Sequence, residues 1–261
     1  MMLQQIKKYQ KKHTDKEANI FIPDKVKKNI SEKINIICGK NGVGKTELLE
    51  DLEKICGYNK FAYRVVYVSS VIDKYMVWDM VNVNKDLVIE ILKYYDENIR
   101  DVTIDLEYKD DIHIYIYYNK IYYNNSPRKR LYDRCCNALT QLLKIAIGIA
   151  NAKDTIVFIN DFNTDLHYKL LDKLAEKIVS IANENNVQFF IVSNNIQLIN
   201  SLAYYSVNLP TKHSWYYEAD EYAVETDLSV FRLDKIKDKI HITHYNNKEM
   251  QIARNNIINI L

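Results

Sequence analysis

Glycine and proline are scarce, at five and three among 261 residues. No Pro/Gly/Ser-rich stretch marks a linker and no segment repeats another. One domain is therefore the economical organisation for a chain long enough to bury a substantial core. The four cysteines, Cys38, Cys56, Cys135 and Cys136, show no C-x-x-C spacing and no nearby histidine pair, which argues against a zinc site or a disulfide framework. No run nears the roughly 18 apolar residues of a membrane span. The opening MMLQQIKKYQKKH is basic without an apolar stretch behind it, unlike a secretory signal. A cytoplasmic location with no membrane partner is the expectation. A net charge of +2 gives no overall pull toward nucleic acid or lipid, so any such surface has to be local.

Against that scarcity, three of the five glycines fall inside GKNGVGKT, residues 39–46. Ile34, Ile36 and Ile37 form an apolar run before it, as a buried parallel strand would. Leu48, Leu49, Leu52 and Ile55 follow at helical spacing, and Gly57 is placed to end that helix. Strand, loop and helix in this order are the context that a G-x-x-x-x-G-K-[ST] match requires. Gly42 and Gly44 let successive N–H groups converge on phosphates at the positive end of the helix. Lys45 reaches the β- and γ-phosphates, and the Thr46 hydroxyl takes Mg²⁺. The expected cofactor-binding residues are Gly39, Lys40, Asn41, Gly42, Val43, Gly44, Lys45, Thr46 and Glu47.

A phosphate loop of this kind needs a second strand ending in acid, to hold Mg²⁺ and orient the attacking water. The candidate is DTIVFINDFNTDLHY, residues 154–168, where Ile156–Ile159 reads as a buried strand ending in Asn160-Asp161. Leu166, Leu170, Leu171, Leu174 and Ile178 then mark an amphipathic helix. A further apolar strand, Val187–Val192, ends in SNN. This order brings the strand ends to one sheet edge, where α/β proteins bind ligands.

On these residues the chain resembles an ABC-type ATPase head. The segment ALTQLLKIAIGIANAKDTIVFINDFNTDLHYKLLDKLAEKIVSIANENNVQFFIVSNN is similar to the second half of such a head. It is most similar to the small AAA/ABC-type ATPases of the overcoming-lysogenisation-defect (OLD) group, with RecF-like heads as more distant relatives. Asn41 within the loop is usual in that group, and VFRLDKIKDKIHITHYNN is similar to the strand pair that often closes these heads. The resemblance covers most of residues 15–70 and 130–261, and leaves roughly 71–130 unmatched.

The resemblance implies an α/β P-loop fold: a mostly parallel central sheet flanked by helices, with a small antiparallel β/helical lobe. It implies one ATP-binding domain with its core in 1–70 and 131–210, an inserted lobe in 71–130, and a C-terminal strand pair and helix in 211–261. ATP and Mg²⁺ are the implied cofactors. The implied partners are a second copy or a related head, with a nuclease or other effector, in prokaryotic anti-phage defence or DNA repair.

Several motif positions depart from the family. Asn160 stands where it carries the Mg²⁺-binding aspartate, Asp161 where it carries the catalytic glutamate, and Asn194 at its switch histidine. CCNAL, residues 135–139, replaces its glycine-rich signature. On this alignment the metal ligands are Thr46, Asn160 and Asp161, and the catalytic positions are Asp161 and Asn194. A one-residue offset makes Asp161 the metal ligand and leaves Phe162 at the base position. Either way one catalytic function is missing, and losing a general base costs ~10²–10⁴ in rate. The expectation is an ATP-binding head with weak or partner-dependent hydrolysis. The alternatives are a fully active DNA-linked ATPase using Asp161, and a nucleotide-independent scaffold.

The remaining segments carry less chemistry. DLVIEILKYY reads as helix, and residues 101–123 alternate as an antiparallel meander. Tyr115, Tyr117, Tyr118, Tyr122 and Tyr123 beside Arg128, Lys129 and Arg130 admit nucleic-acid stacking and phosphate contact, or an ordinary sheet with solvated charge. Lys7, Lys8, Lys11 and Lys12 read as a solvated face and His167 as structural, while His241 and His244 lack metal-ligand spacing.

Overall fold

A computed structural model describes residues 22–57, 64–68, 84–107, 111–122, 126–131, 135–150, 152–160, 162, 166–208, 226–237 and 239–255. Asp161, Tyr123, the N-terminal lysines and the stretch 69–83 lie outside these residues, as do the side chains of Tyr122 and Arg128–Arg130.

In chain order the elements are α1 (Asp24–Asn29), β1 (Ile34–Gly39), α2 (Lys45–Gly57), β2 (Arg64–Val68), α3 (Lys85–Leu92), β3 (Ile99–Glu107), β4 (Asp111–Tyr122) and β5 (Ser126–Leu131). They continue with α4 (Asn137–Ala150), β6 (Thr155–Ile159), α5 (Tyr168–Glu184), β7 (Gln188–Val192), α6 (Ile196–Asn208), β8 (Leu228–Ile236), β9 (Lys239–Asn246) and α7 (Asn247–Asn255).

The central sheet runs β2-β6-β7-β1-β8-β9. Its first five strands pair in parallel, and β9 turns back antiparallel on β8. Every residue of β1, β6 and β7 is buried, which explains their largely apolar sequences. One face of the sheet packs on α1 and α2: Ile37, Phe158, Phe190 and Phe231 meet Leu48, Leu49, Leu52 and Ile55. Phe158 and Phe190 stack there at 5.1 Å. The other face packs on α4, α5 and α6. This is the mostly parallel α/β architecture that the strand pattern implies.

A separate three-stranded antiparallel sheet, β3-β4-β5, forms from the alternating segment. Ile116 and Tyr118 lie on its inner face, within the same core cluster as α3 and α4. Tyr118 is thus a core residue, whereas Tyr115 and Tyr117 are half-buried.

Gly148 lies in the last turn of α4. A Cβ there would come 2.3 Å from Val68 Cγ2, so the helix approaches β2 more closely than any side chain allows.

Candidate nucleotide-binding site

β1 is buried to its last residue, Gly39, and the chain then turns sharply. Gly39, Gly42 and Gly44 have φ of 134°, 75° and 94°. At Gly39 the neighbouring strand decides the residue type as well, because a Cβ would meet the Leu233 carbonyl oxygen at 2.2 Å. Val43, between exposed Gly42 and half-buried Gly44, is buried in the α2 core cluster and anchors the loop.

Lys45 opens α2 and is only 9 % exposed. Its Nζ donates to the Gly39 carbonyl at 2.7 Å and to the Lys40 carbonyl at 2.8 Å, which holds the ammonium over the concave side of the loop. N–H groups at a helix start, a buried cation and left-handed turns together form an anion cradle. Beneath it, burial pushes the Cys38 thiol up to about 12 against the pull of Arg232 and Lys45, so this cysteine is an inert core residue.

The strand order places β7 between β1 and β6, and their C-terminal ends form one floor. Ser193 N–H donates to Ile37 O, Phe162 N–H to Val192 O, and Ser193 Oγ donates to Phe162 O at 3.1 Å. Thr46 Oγ1 donates to Asn160 Oδ1 at 3.4 Å. Asn194 Nδ2 donates to Asn41 Oδ1 at 2.9 Å, while its own Oδ1 is buried with no partner among the described residues. Asn195 caps α6 through Oδ1, which accepts from the backbone N–H of Gln197 and Leu198.

The structure therefore brings together Asn41, Thr46, Asn160 and Asn194, all expected from sequence. Phe162, at the base position in the offset alignment, is 1 % exposed and belongs to the core. Asp161 lies outside the described residues.

The donor set fits Mg²⁺. The Thr46 hydroxyl and the Asn160 amide carbonyl are hard oxygen donors of the kind Mg²⁺ takes in ones and twos alongside phosphates and water. Among the described residues no group of three or more His, Cys, Asp or Glu offers a cage of its own. When held there, the ion would neutralise charge on the phosphate oxygens. Asn160 would supply it with an oxygen but no negative charge.

Three features escaped the sequence reading. The first is Tyr67 on β2. Its side chain packs on the α2 core cluster, with Asn160, Glu50 and Glu53 near its phenol. Burial first, then the carboxylates of Glu50 and Glu53, raises its pKa above the ordinary tyrosine range, with Asn160 opposing. The second is a groove of about 940 Å³ beside the loop, between α2 and the β8–β9 hairpin. Val43, Leu48, Leu233, Ile240 and Ile242 make its apolar lining, and Lys25, Lys235 and Lys239 with Glu47 and Asp51 its charged rim.

The third concerns CCNAL, which leads into α4. Burial pushes the Cys136 thiol up, but hydrogen bonds from Tyr95 (Oη to Sγ 3.0 Å) and from backbone N–H groups including Leu139 and Ala138 outweigh it and lower its pKa. Tyrosine and thiol thus occupy a helix start where the resemblance implies glycines. No residue spacing announced any of these contacts.

His167 and His244 make structural contacts. His167 caps α5, its Nδ1 accepting from Lys169 N–H at 3.4 Å. His244 Nε2 lies 3.1 Å from Ser229 Oγ, and its ring packs 5.2 Å from Phe231.

Solved structures of similar shape are heads of the same architecture. A Smc head bound to the C-winged helix domain of ScpA shares 9 % identity, with a TM-score of 0.53 over 83 % of this chain and 91 % of that one. The SMC head domain from Thermotoga maritima shares 12 % identity, with coverage of 83 % and 91 % and a TM-score of 0.43. cbiO1 from Clostridium perfringens, part of the ABC transporter complex cbiONQ, shares 12 %, covering 87 % and 82 % with a TM-score of 0.45. At such identities the likeness concerns the fold alone: an α/β head with a mostly parallel sheet flanked by helices, as in the Smc head. No protein-family profile and no curated protein matches the chain.

Proposed function

We propose that this chain is an ATP-binding head that holds ATP with Mg²⁺ through residues 39–47 and hydrolyses it slowly, or only with a partner. The observation that carries the reading is the left-handed glycine loop with Lys45 across its mouth, set 3.4 Å from Asn160 through Thr46. Loop, lysine and hydroxyl make a complete phosphate-binding half. The facing half offers amides at the positions where aspartate and histidine would supply charge and sense the γ-phosphate. The groove beside the loop has an apolar floor that suits a nucleoside, with Lys25, Lys235 and Lys239 among its charged rim residues.

The ABC-type architecture supports a working unit of two heads, or one head and a companion chain. Because CCNAL lacks glycine, a pure homodimer closes weakly and a related head supplies the missing donors. The OLD-like motifs support a place beside a nuclease or other effector in prokaryotic anti-phage defence or DNA repair, in the cytoplasm; this role rests on the resemblance. No described helix is long and apolar enough to cross a membrane.

Thermal unfolding tests the binding reading. ATP with Mg²⁺ at about 100 times its Kd stabilises the fold by roughly 2.7 kcal/mol, seen as a raised Tm, and Lys45→Ala removes the rise. A folded wild type with no shift at millimolar nucleotide overturns it.

A further inference from the structure

We propose that Asn194 sets the preference for a triphosphate over a diphosphate: it holds Asn41 with its amide nitrogen free, and that nitrogen meets the terminal phosphate of the nucleotide. The proposal rests on the nucleotide reading above and names the pair of residues that tells ATP from ADP.

Asn194 stands on a fixed base, because the side chains on either side of it tie down other elements. Ser193 Oγ donates to Phe162 O at 3.1 Å, in the loop after β6, and Asn195 Oδ1 caps α6. The Asn195 N–H donates back to Ser193 Oγ at 3.0 Å, and the Ser193 N–H to Ile37 O of β1. From this corner Asn194 reaches the phosphate loop, its Nδ2 donating to Asn41 Oδ1 at 2.9 Å. The carbonyl before Asn41, that of Lys40, is held by Lys45 Nζ at 2.8 Å. Asn41 is thus restrained through its side chain and through the backbone beside it.

The direction of the amide bond decides what Asn41 offers a ligand. With its oxygen taken by Asn194, the nitrogen is the end that Asn41 presents, and a nitrogen donor suits an anion. Turning both amides over would bury the Asn194 nitrogen where its oxygen lies now, with two donors unmet among the described residues in place of one acceptor. It would also present the Asn41 oxygen to a phosphate. Burial of Asn194 therefore selects the orientation that an anion needs.

Strand order indicates which phosphate is met. The strands run β6-β7-β1-β8-β9. The groove that suits the nucleoside lies on the β8–β9 side of the loop, whereas Asn194 follows β7 on the other side of β1. A nucleotide seated in the groove extends its phosphates across the loop toward β7, so the last of three lies nearest Asn41. A diphosphate stops short of it.

The test is calorimetric titration with ATP and with ADP, both in Mg²⁺. Four proteins are compared: wild type, Asn194→Ala, Asn41→Ala and the double variant. Asn194→Ala is expected to weaken ATP binding about tenfold, the scale of one hydrogen bond to a charged group, and to leave ADP binding within about twofold. Asn41 is exposed, so Asn41→Ala probes the same contact without touching the core, and it should show the same selective loss. Adding Asn194→Ala to Asn41→Ala should cost less than about a further twofold, because Asn194 acts through Asn41.

Equal losses for ATP and ADP would assign the pair a purely structural role and overturn the proposal. So would unchanged ATP affinity in either single variant. A tenfold loss from Asn194→Ala that persists in the Asn41→Ala background would show that Asn194 meets the phosphate itself, which also overturns it. A wild type that binds neither nucleotide would instead sink the nucleotide reading, so the two failures are distinguishable.

Discussion

The loop after β1 and the loop after β6 meet on one floor of the sheet, and they are built by opposite means. The first works through backbone: three glycines in left-handed conformations, a buried valine as anchor, and a lysine tied to the loop's own carbonyls. The second works through side-chain ends: the oxygen of Asn160 and, across β7, the amide of Asn194. A phosphate cradle is a shape, so replacing its residues breaks the fold before it alters the chemistry. A metal-and-water site depends on which atom terminates a side chain, so an aspartate-to-asparagine difference leaves the shape alone and removes charge. The two halves of one site can therefore diverge, one intact and the other neutralised.

The largest expected effect lies on the backbone side. Gly39→Ala forces a Cβ against the Leu233 carbonyl at 2.2 Å in a conformation that L side chains rarely adopt. Destabilisation should exceed about 3 kcal/mol, read as a fall in the urea midpoint. A loss under about 1 kcal/mol would show that this loop yields more readily than a shape-defined cradle should.

On the side-chain side, Asn160→Asp combined with Asp161→Glu restores an acidic pair with the architecture unchanged. Phosphate release should rise on the order of tenfold to a hundredfold, with Asn194 and CCNAL still limiting it. Brisk wild-type turnover that Lys45→Ala removes would show the neutral half to be sufficient as it stands.

The smallest effect belongs to the β8–β9 hairpin, outside both loops, and serves as a reference for the other two. Burial lowers the His244 pKa below its ordinary value near 6.5, with Glu249 opposing. The unfolded chain then binds more protons than the folded one as pH falls through 6.5 and below, so stability declines in that window. His244→Gln should flatten the slope of Tm against pH between about 7 and 5. An unchanged slope would place the acid sensitivity elsewhere.

Much of the cradle was legible because its causes are local. Residues 34–57 carry strand, loop and helix in sequence, and the alternation at 101–123 marked an antiparallel meander, although β4 runs on through Tyr118–Lys120 and β5 lies beyond it. The runs Ile156–Ile159 and Val187–Val192 declared buried strands because full burial leaves few polar positions in them, Gln188 being the exception. What could not be read arises from strand order. Asn194 bonds Asn41 across 153 positions. RVVYV contains nothing to say that its tyrosine would lie beside Asn160 rather than face solvent. The groove with Lys239 and Ile240 exists because β8 pairs with β1, a neighbour from the far end of the chain.

The contact of Gly148 with Val68 sets a rule for sequence variation. Helix α4 and strand β2 share one side chain's worth of space at that crossing, and valine occupies all of it. Among relatives of this chain the two positions should vary as a pair, an alanine at 148 appearing with a smaller residue at 68. Because Val68 also receives the N–H of Asn160 and follows Tyr67, such exchanges would be tolerated only while β2 keeps its depth. Substitution far from the nucleotide, on the opposite face of the sheet, would then be constrained by the floor of the site.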